Sequence, residues 1–206
     1  MSSTPRVTAD LCVSLDGIAA GHDQSAEHPF GSRIGFRLHT WLMEHADNHA
    51  AEFAALNSAS AYVMGRNMFG PDRGDWDLNW TGWWGPEPDY HAPVFVLGHR
   101  PRQPVEMAGG TTFTFVTDGI ESALDQARAA AGDGVVRLGG GADVAQQYLR
   151  AGLLDRLQLH VVPLLMGNGV RLFGEQGPVG GLELTSSVES PTGVIHLGYR
   201  AAGKPV

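Results

Sequence analysis

VVRLGGGADVAQQYL, residues 135–149, decides how this chain is read. A β-prone run of Val135, Val136 and Leu138 stops at Gly139, Gly140 and Gly141, and a helical pattern follows at once. Strand, turn, helix is the repeating unit of an α/β fold. Three adjacent residues without Cβ atoms are costly in conformational entropy, and a plain turn needs only one or two. The arrangement suits an anion: free backbone N–H groups and the positive end of a helix dipole meet where no side chain intrudes. The competing reading is a tight turn that packs the helix on its strand. The dinucleotide fingerprint G-x-G-x-x-G needs a third glycine where Val144 stands. A P-loop needs a Lys-Ser/Thr pair where Asp143 and Val144 follow. The turn is therefore a cradle of neither common type.

Outward from this stretch, strands and helices alternate. RVTADLCV (6–13) is a β-prone run closed by SLDG, AYVMG (61–65) is a second, and PVFVLG (93–98) is the continuous apolar run of a strand buried on both faces. TTFTFVT (111–117) alternates like a half-exposed strand, and Asp118 is placed to cap a helix through Ala131. The pattern predicts a strand at 135–138, a helix from Ala142 to Ala151 and a strand at 156–166. It ends in an antiparallel hairpin of 182–190 and 194–200 joined by a PTG turn. From Gly35 to Asn57, Leu38, Trp41, Leu42, His45, Ala46, His49, Phe53 and Leu56 recur every three or four residues, which predicts one amphipathic helix. Residues 70–93 read as an irregular loop rich in Pro, Gly, Asp and Trp. Together these predict one α/β domain over 1–206, with a mostly parallel sheet and an antiparallel edge.

The totals exclude several classes. The net charge of −8, from 14 basic and 22 acidic residues, argues against nucleic-acid binding by counterion release. Cys12 is the only cysteine, so no internal disulfide is expected and a deaminase zinc site with P-C-x-x-C is excluded. MSSTPRVTADLCVSLDG lacks the features of a signal peptide, and no apolar stretch approaches the roughly 20 residues of a membrane span. The expectation is a soluble cytoplasmic protein without nucleic-acid or membrane partners. Ser14 and Ser60 have no nucleophile-elbow glycines around them, so a serine hydrolase is unsupported.

SLDGIAAG (14–21), VMGR (63–66), PVFVLGHRPR (93–102) and RLGGGADVAQQYLRAGLLDRLQLHVVPLLMGNGVRLF (137–173) occur in this order before the closing hairpin. In these stretches the chain resembles the dihydrofolate reductase-like superfamily. The nearer likeness is to the reductase domain of the bacterial bifunctional deaminase-reductase of riboflavin biosynthesis and its stand-alone relatives. It covers about residues 6–200. The resemblance implies a three-layer α/β/α fold with a mixed sheet of about eight strands, NADPH lying across the strand ends, and a homodimer. It places Gly139, Gly140, Gly141, Ala142, Asp143 and Val144 at the pyrophosphate, and Gly65, Arg66 and Asn67 on the adenosine side. Leu97, Gly98, His99 and Arg100 would flank the adenine and 2′-phosphate, and Cys12, Ile18, Ala19 and Gly21 the nicotinamide. Guanidinium groups match a 2′-phosphate bidentately, which singles out Arg66 and Arg100 for cofactor choice. The chain departs from true dihydrofolate reductases at its first helix, where neither Glu44 nor Asp47 is in register with their pterin-binding carboxylate.

Other constellations carry two readings each. His45 and His49 stand one helical turn apart, but Ala46 replaces the zincin glutamate and no third ligand is visible, so no metal is expected. Trp76, Trp80, Trp83 and Trp84 crowd one loop, either pinning it by packing or walling a flat heterocycle, with Trp83, Trp84 and Trp41 as substrate contacts. Asp16 is a turn residue or a catalytic group beside the nicotinamide, and Asn168 a turn residue or a substrate amide contact. The reading that results is an NADPH-dependent reductase, passing hydride to a C=N or C=O group of a small polar, heterocyclic substrate. The alternative is a nucleotide- or flavin-binding module without turnover.

Overall fold

The computed structural model describes residues 6–31, 33–71, 73–174 and 181–201. In chain order the strands are β1 (Arg6–Ser14), β2 (Ile18–Ala20), β3 (Ala61–Gly65), β4 (Pro93–Leu97), β5 (Val105–Glu106), β6 (Thr112–Val116), β7 (Val135–Leu138), β8 (Arg156–Val162), β9 (Val170–Arg171), β10 (Leu182–Glu189) and β11 (Ile195–Ala201). The α-helices are α1 (Arg33–Phe36), α2 (Thr40–Met43), α3 (Ala50–Leu56), α4 (Arg66–Phe69), α5 (Ile120–Ala131) and α6 (Ala142–Arg150).

Among the described residues nine strands form one mixed sheet in the order β10-β11-β8-β1-β7-β3-β4-β6-β5, while β2 and β9 pair separately. The six strands from β8 to β6 are parallel, and β11, β10 and β5 run antiparallel at the two edges. The expected sheet of about eight strands thus gains β5, a two-residue edge too short to leave a sequence pattern.

Period-two alternation assigns each side chain to a face. Val7, Ala9, Leu11 and Val13 of β1 join Ala61, Val63, Val136 and Leu138 in a core closed by Leu124 and Ala127 of α5 and Tyr148 and Leu149 of α6. The intervening residues face the other way, where two smaller clusters lie. Tyr62, Met64, Val94, Val96 and Phe113 pack against Phe69 of α4 and the tryptophans of the 70–93 loop. Ile18, Val162, Met166 and Val194 pack beneath Leu38 and Trp41. The sheet is therefore the middle of three layers.

Three local expectations need correction. The strand expected at 156–166 stops at Val162, just before Pro163, which has no N–H to give to a ladder. Residues 35–57 are not one helix: α1, α2, a 3-10 turn (Ala46–His49) and α3 replace it, with His45 and His49 both in non-helical conformations. Trp41 and His49 both press toward the sheet, yet eight residues at about 100° each would leave them about 80° apart on a straight helix. The break turns both inward. Asp118 does not cap α5; Gly119, at φ 95°, precedes its first residue.

The connections make a switch point between β3 and β7, where a crevice is expected. From β3 the chain turns into α4 on one face, and from the adjacent β7 it turns into α6 on the other. Neighbouring strands whose chains leave in opposite directions open a gap at their carboxyl ends, the usual ligand position of open α/β sheets.

Candidate functional site

The glycine turn lies in that crevice. Gly139 N–H donates to Val63 O at 2.8 Å and Gly65 N–H donates to Gly140 O at 2.8 Å, so the turn is stitched to the end of β3. The Gly140–Gly141 peptide is cis. Gly140 sits at φ 105° beside Met68, and a Cβ on Gly65 would press Val144 Cγ2 at 3.0 Å. Gly141 differs from both: it has an ordinary φ of −82°, and a Cβ built on it would meet nothing within 4 Å. It is the N-cap of α6, so the open space lies against the helix's first turn. The leading N–H groups of a helix have no intrahelical acceptor and carry the positive end of its dipole. Asp143 in that turn is exposed and accepts a hydrogen bond from Gln147 Nε2 at 2.7 Å.

At the adenosine end foreseen from the sequence, Arg66 and Arg100 are engaged by the 70–93 loop. Arg66 donates to Gly74 O at 2.7 Å and lies 3.8 Å from the Trp76 ring centroid; Arg100 pairs with Asp75. Trp76 in turn donates to Arg100 O at 3.0 Å and stands 3.8 Å from the position of a Cβ on Gly98. Arg102, which sequence reasoning passed over, donates to Asp77 O, Leu78 O and Trp80 O and lies over the Phe69, Trp76 and Phe115 rings. Leu97 and Gly98 are partly buried at the end of β4, and His99 is exposed beyond them.

Trp83 and Trp84 are engaged by other rings of the loop and sheet. Trp84 stacks on Phe113 at 5.6 Å and meets Tyr90 edge-on at 5.0 Å, and Trp83 meets Trp80 edge-on at 4.7 Å. Large aromatic surfaces are driven into such contacts by burial and ring quadrupoles, which favours the packing reading of this loop.

At the end of β1, Asp16 is a clamp. Its carboxylate accepts from Ser14 Oγ at 2.6 Å, Met166 N at 3.1 Å and Gly167 N at 2.6 Å, tying the turn after β1 to the 163–169 segment. These donors hold its pKa down at about 2, so it is no proton donor at neutral pH. A carboxyl depressed from 3.8 to about 2 adds stability that is present above pH 4 and lost as pH falls toward 2. Asp16→Asn is expected to lower Tm at pH 7 and to show a smaller further loss than wild type between about pH 4 and pH 2. Superimposable acid profiles of the two proteins would remove this role. Asn168 accepts or shares a bond with His22 Nε2 at 3.0 Å, and Gly169 lets the strand pair β2–β9 close, since a Cβ there would fall 2.4 Å from Ala20 O. Gln24 Nε2 reaches Asn67 O at 2.9 Å, joining the segment after Gly21 to α4. Ala19 packs at the margin of the cluster containing Ala142 and Val144, whereas Ile18 is buried beside Trp41.

A second polar group, unforeseen from the sequence, occupies the same sheet face nearer β11. Asp10 of β1 lies 3.5 Å from Arg137 of β7 and 4.0 Å from His160 of β8, all three less than a tenth exposed. His160 Nδ1 is 2.7 Å from His196 Nδ1, and Trp41 covers the rings of His160, His196 and His49 at 4.6–5.2 Å. Burial keeps these imidazoles neutral, with His160 brought down to about 3. Burial also pushes the Cys12 thiol up to about 12, against the Trp41 indole, so this cysteine is not a nucleophile. Asp10 is likewise raised by burial, which outweighs the pull of Arg137. The sequence did carry a signal: Asp10, Arg137 and His160 each stand between apolar neighbours in a strand run.

No helix among the described residues is long and apolar enough to cross a membrane. No curated protein matches the sequence significantly. The fold is similar to that of a putative riboflavin biosynthesis protein from Shewanella sp. PV-4, at 21% identity and TM-score 0.67 over 96% of this chain and 99% of the other. It is similar also to a pyrimidine reductase-like protein from Corynebacterium diphtheriae (16%, TM-score 0.56, 97% and 93%). A third likeness is to dihydrofolate reductase from Enterococcus faecalis, complexed with NADP(H) (15%, TM-score 0.58, 98% and 100%). The RibD C-terminal domain family matches residues 5–196, nearly the whole chain. With that match on a dihydrofolate reductase-like sheet, the chain belongs to the RibD C-terminal domain family.

Proposed function

We propose that this chain is an NADPH-dependent reductase of a C=N or C=O bond in a small polar, heterocyclic substrate. One observation carries the reading: the open, side-chain-free space at Gly141, against the first turn of α6 and at the gap between β3 and β7. Membership of the RibD C-terminal domain family, and the NADP(H) held by the similar Enterococcus reductase, support it. Gly139, Gly140, Gly141 and the backbone of Ala142, Asp143 and Val144 would hold the pyrophosphate. Gly65, Arg66 and Asn67 would face the adenosine, and Leu97, Gly98, His99 and Arg100 the adenine and 2′-phosphate. Cys12, Ile18, Ala19 and Gly21 would border the nicotinamide, whose chemistry is hydride donation.

The chain's own part is orientation and exclusion of water. Asp16 braces the turn after β1 against the 163–169 segment, and remains ionised while doing so. Cys12 remains a neutral thiol. Neither supplies a proton at pH 7, so the proton would come from solvent or from another acid.

Titration with NADPH and NADH, read by indole fluorescence and by oxidation of the cofactor with a panel of pyrimidine and pterin substrates, tests the proposal. Saturable NADPH binding with turnover is expected. Arg66→Ala is expected to weaken NADPH about tenfold or more and NADH about twofold or less, the signature of a guanidinium on the 2′-phosphate. Equal losses would remove Arg66 from that role. Tight binding without turnover on any substrate would favour a nucleotide-binding module instead.

A further inference from the structure

His49 closes the 3-10 turn before α3, Glu52 follows one helical turn later, and His196 faces them from β11. Donor atoms of these three residues all lie within 4.8 Å of one another. His49 Nδ1 and His196 Nε2 are 3.0 Å apart. Two neighbouring ligands each about 2.1 Å from one ion stand about 3.0–3.4 Å apart, in octahedral or tetrahedral geometry respectively. The imidazoles already hold that spacing, and a swing of the partly exposed Glu52 side chain completes a triad.

The far side of each ring is also arranged as a ligand's would be. His49 Nε2 lies 3.0 Å from Thr192 Oγ1, itself 2.8 Å from Ser190 Oγ. His196 Nδ1 lies 2.7 Å from His160 Nδ1. Metal-binding histidines characteristically engage their second nitrogen with such a partner, which sets the tautomer. When His49 donates to Thr192 and His196 donates to His160, two bare lone pairs face each other across 3.0 Å. A cation between them relieves that repulsion.

A separate observation concerns α3. It is seven residues long, AAEFAAL, with no buried residue, and Phe53 is 41% exposed. Helices this short do not persist on their own propensity and ordinarily rely on a packed face. His49 and Glu52 bracket its first turn, so an ion shared with β11 supplies a tether that packing does not.

We propose that His49, Glu52 and His196 bind a divalent transition-metal ion of the zinc class and so clamp α3 to the sheet. Two imidazoles and one carboxylate suit such borderline ions and leave a coordination position open. The site is separate from the glycine turn: β8 and β1 stand between β11 and β7. Its fate does not depend on whether the chain binds NADPH.

The test uses the full, tag-free chain stripped with a chelator, titrated with Zn²⁺ by calorimetry and with Co²⁺ by visible absorption. One equivalent is expected to bind at about micromolar Kd or tighter, to raise Tm by about 5–10 °C at a hundredfold excess over Kd, and to slow amide exchange across 46–56. Glu52→Gln, at a partly exposed position, and Thr192→Val are each expected to weaken binding by about 10–100-fold, and His49→Gln by more. Asp47→Asn, an exposed carboxylate nearby, is expected to bind like wild type. Absence of saturable one-to-one binding would overturn the site, leaving a hydrogen-bonded histidine cluster only. Undiminished binding in both His49→Gln and Glu52→Gln would overturn it too, placing the ion on exposed histidines. Unchanged exchange at 46–56 on one-to-one binding would overturn the clamp.

Discussion

Gly141→Val is expected to reduce NADPH affinity by at least about 30-fold, some 2 kcal/mol, while Tm stays within about 2 °C of wild type. Among the glycines of the turn it is the clean probe. Gly140 has a positive φ that a β-branched residue resists, so Gly140→Val would strain the backbone and confound binding with folding. Gly141 has an ordinary φ, and a Cβ added there meets nothing within 4 Å. The only thing that space is proposed to receive is the ligand, so steric loss falls on binding alone. Calorimetric titration beside a melting curve separates the two quantities. Full affinity in a variant that melts like wild type would sink the cradle.

The largest loss of stability is expected from Asp10→Ala. Arg137 and Asp10 are both less than a tenth exposed, and Arg137 Nε and Nη1 make no hydrogen bond that would hold the charge in Asp10's place. Removing the carboxylate leaves a buried guanidinium uncompensated, a change that costs about 3–5 kcal/mol, or roughly 10 °C in Tm for a chain of this length. The pair itself is not strongly favourable, because desolvation outweighs the attraction. Replacing both, as Asp10→Leu with Arg137→Met, is accordingly expected to recover most of the loss. Urea denaturation of wild type, Asp10→Ala and the double variant measures the loss and its recovery. A loss below about 1 kcal/mol for Asp10→Ala alone would mean that water reaches Arg137.

The β7–glycine–α6 unit could be read from the chain because its determinants are local: apolar alternation, missing side chains and a helical stripe lie within fifteen residues. Strands β3 and β4 are legible for the same reason, as apolar runs bounded by turn residues, whereas the apolar residues after Pro163 make β8 look four residues longer than it is. Segment 35–57 was misread because its stripe has the right period, yet the fold needs Trp41 and His49 on one side and breaks the helix to put them there. The histidine cluster is set by register: pairing places His160 opposite Cys12 and His196 opposite His160. No spacing along the chain encodes residues 36 positions apart becoming neighbours. The tryptophans are visible at once, but their role depends on which rings await them, Phe69 of α4 and Phe113 on the sheet face.

If Arg66 and Arg100 take the cofactor's phosphate as proposed, their ties to the 70–93 loop make that loop an internal competitor. Gly74 O and the Asp75 carboxylate already occupy guanidinium donors that an incoming anion would claim. Affinity for such an anion is then a difference of two energies: what the arginines gain from it, less what they give up in the loop. A loop of this kind sets a threshold. The Arg100–Asp75 pair is exposed, and exposed pairs are worth about 1 kcal/mol or less, so that threshold is low for Arg100.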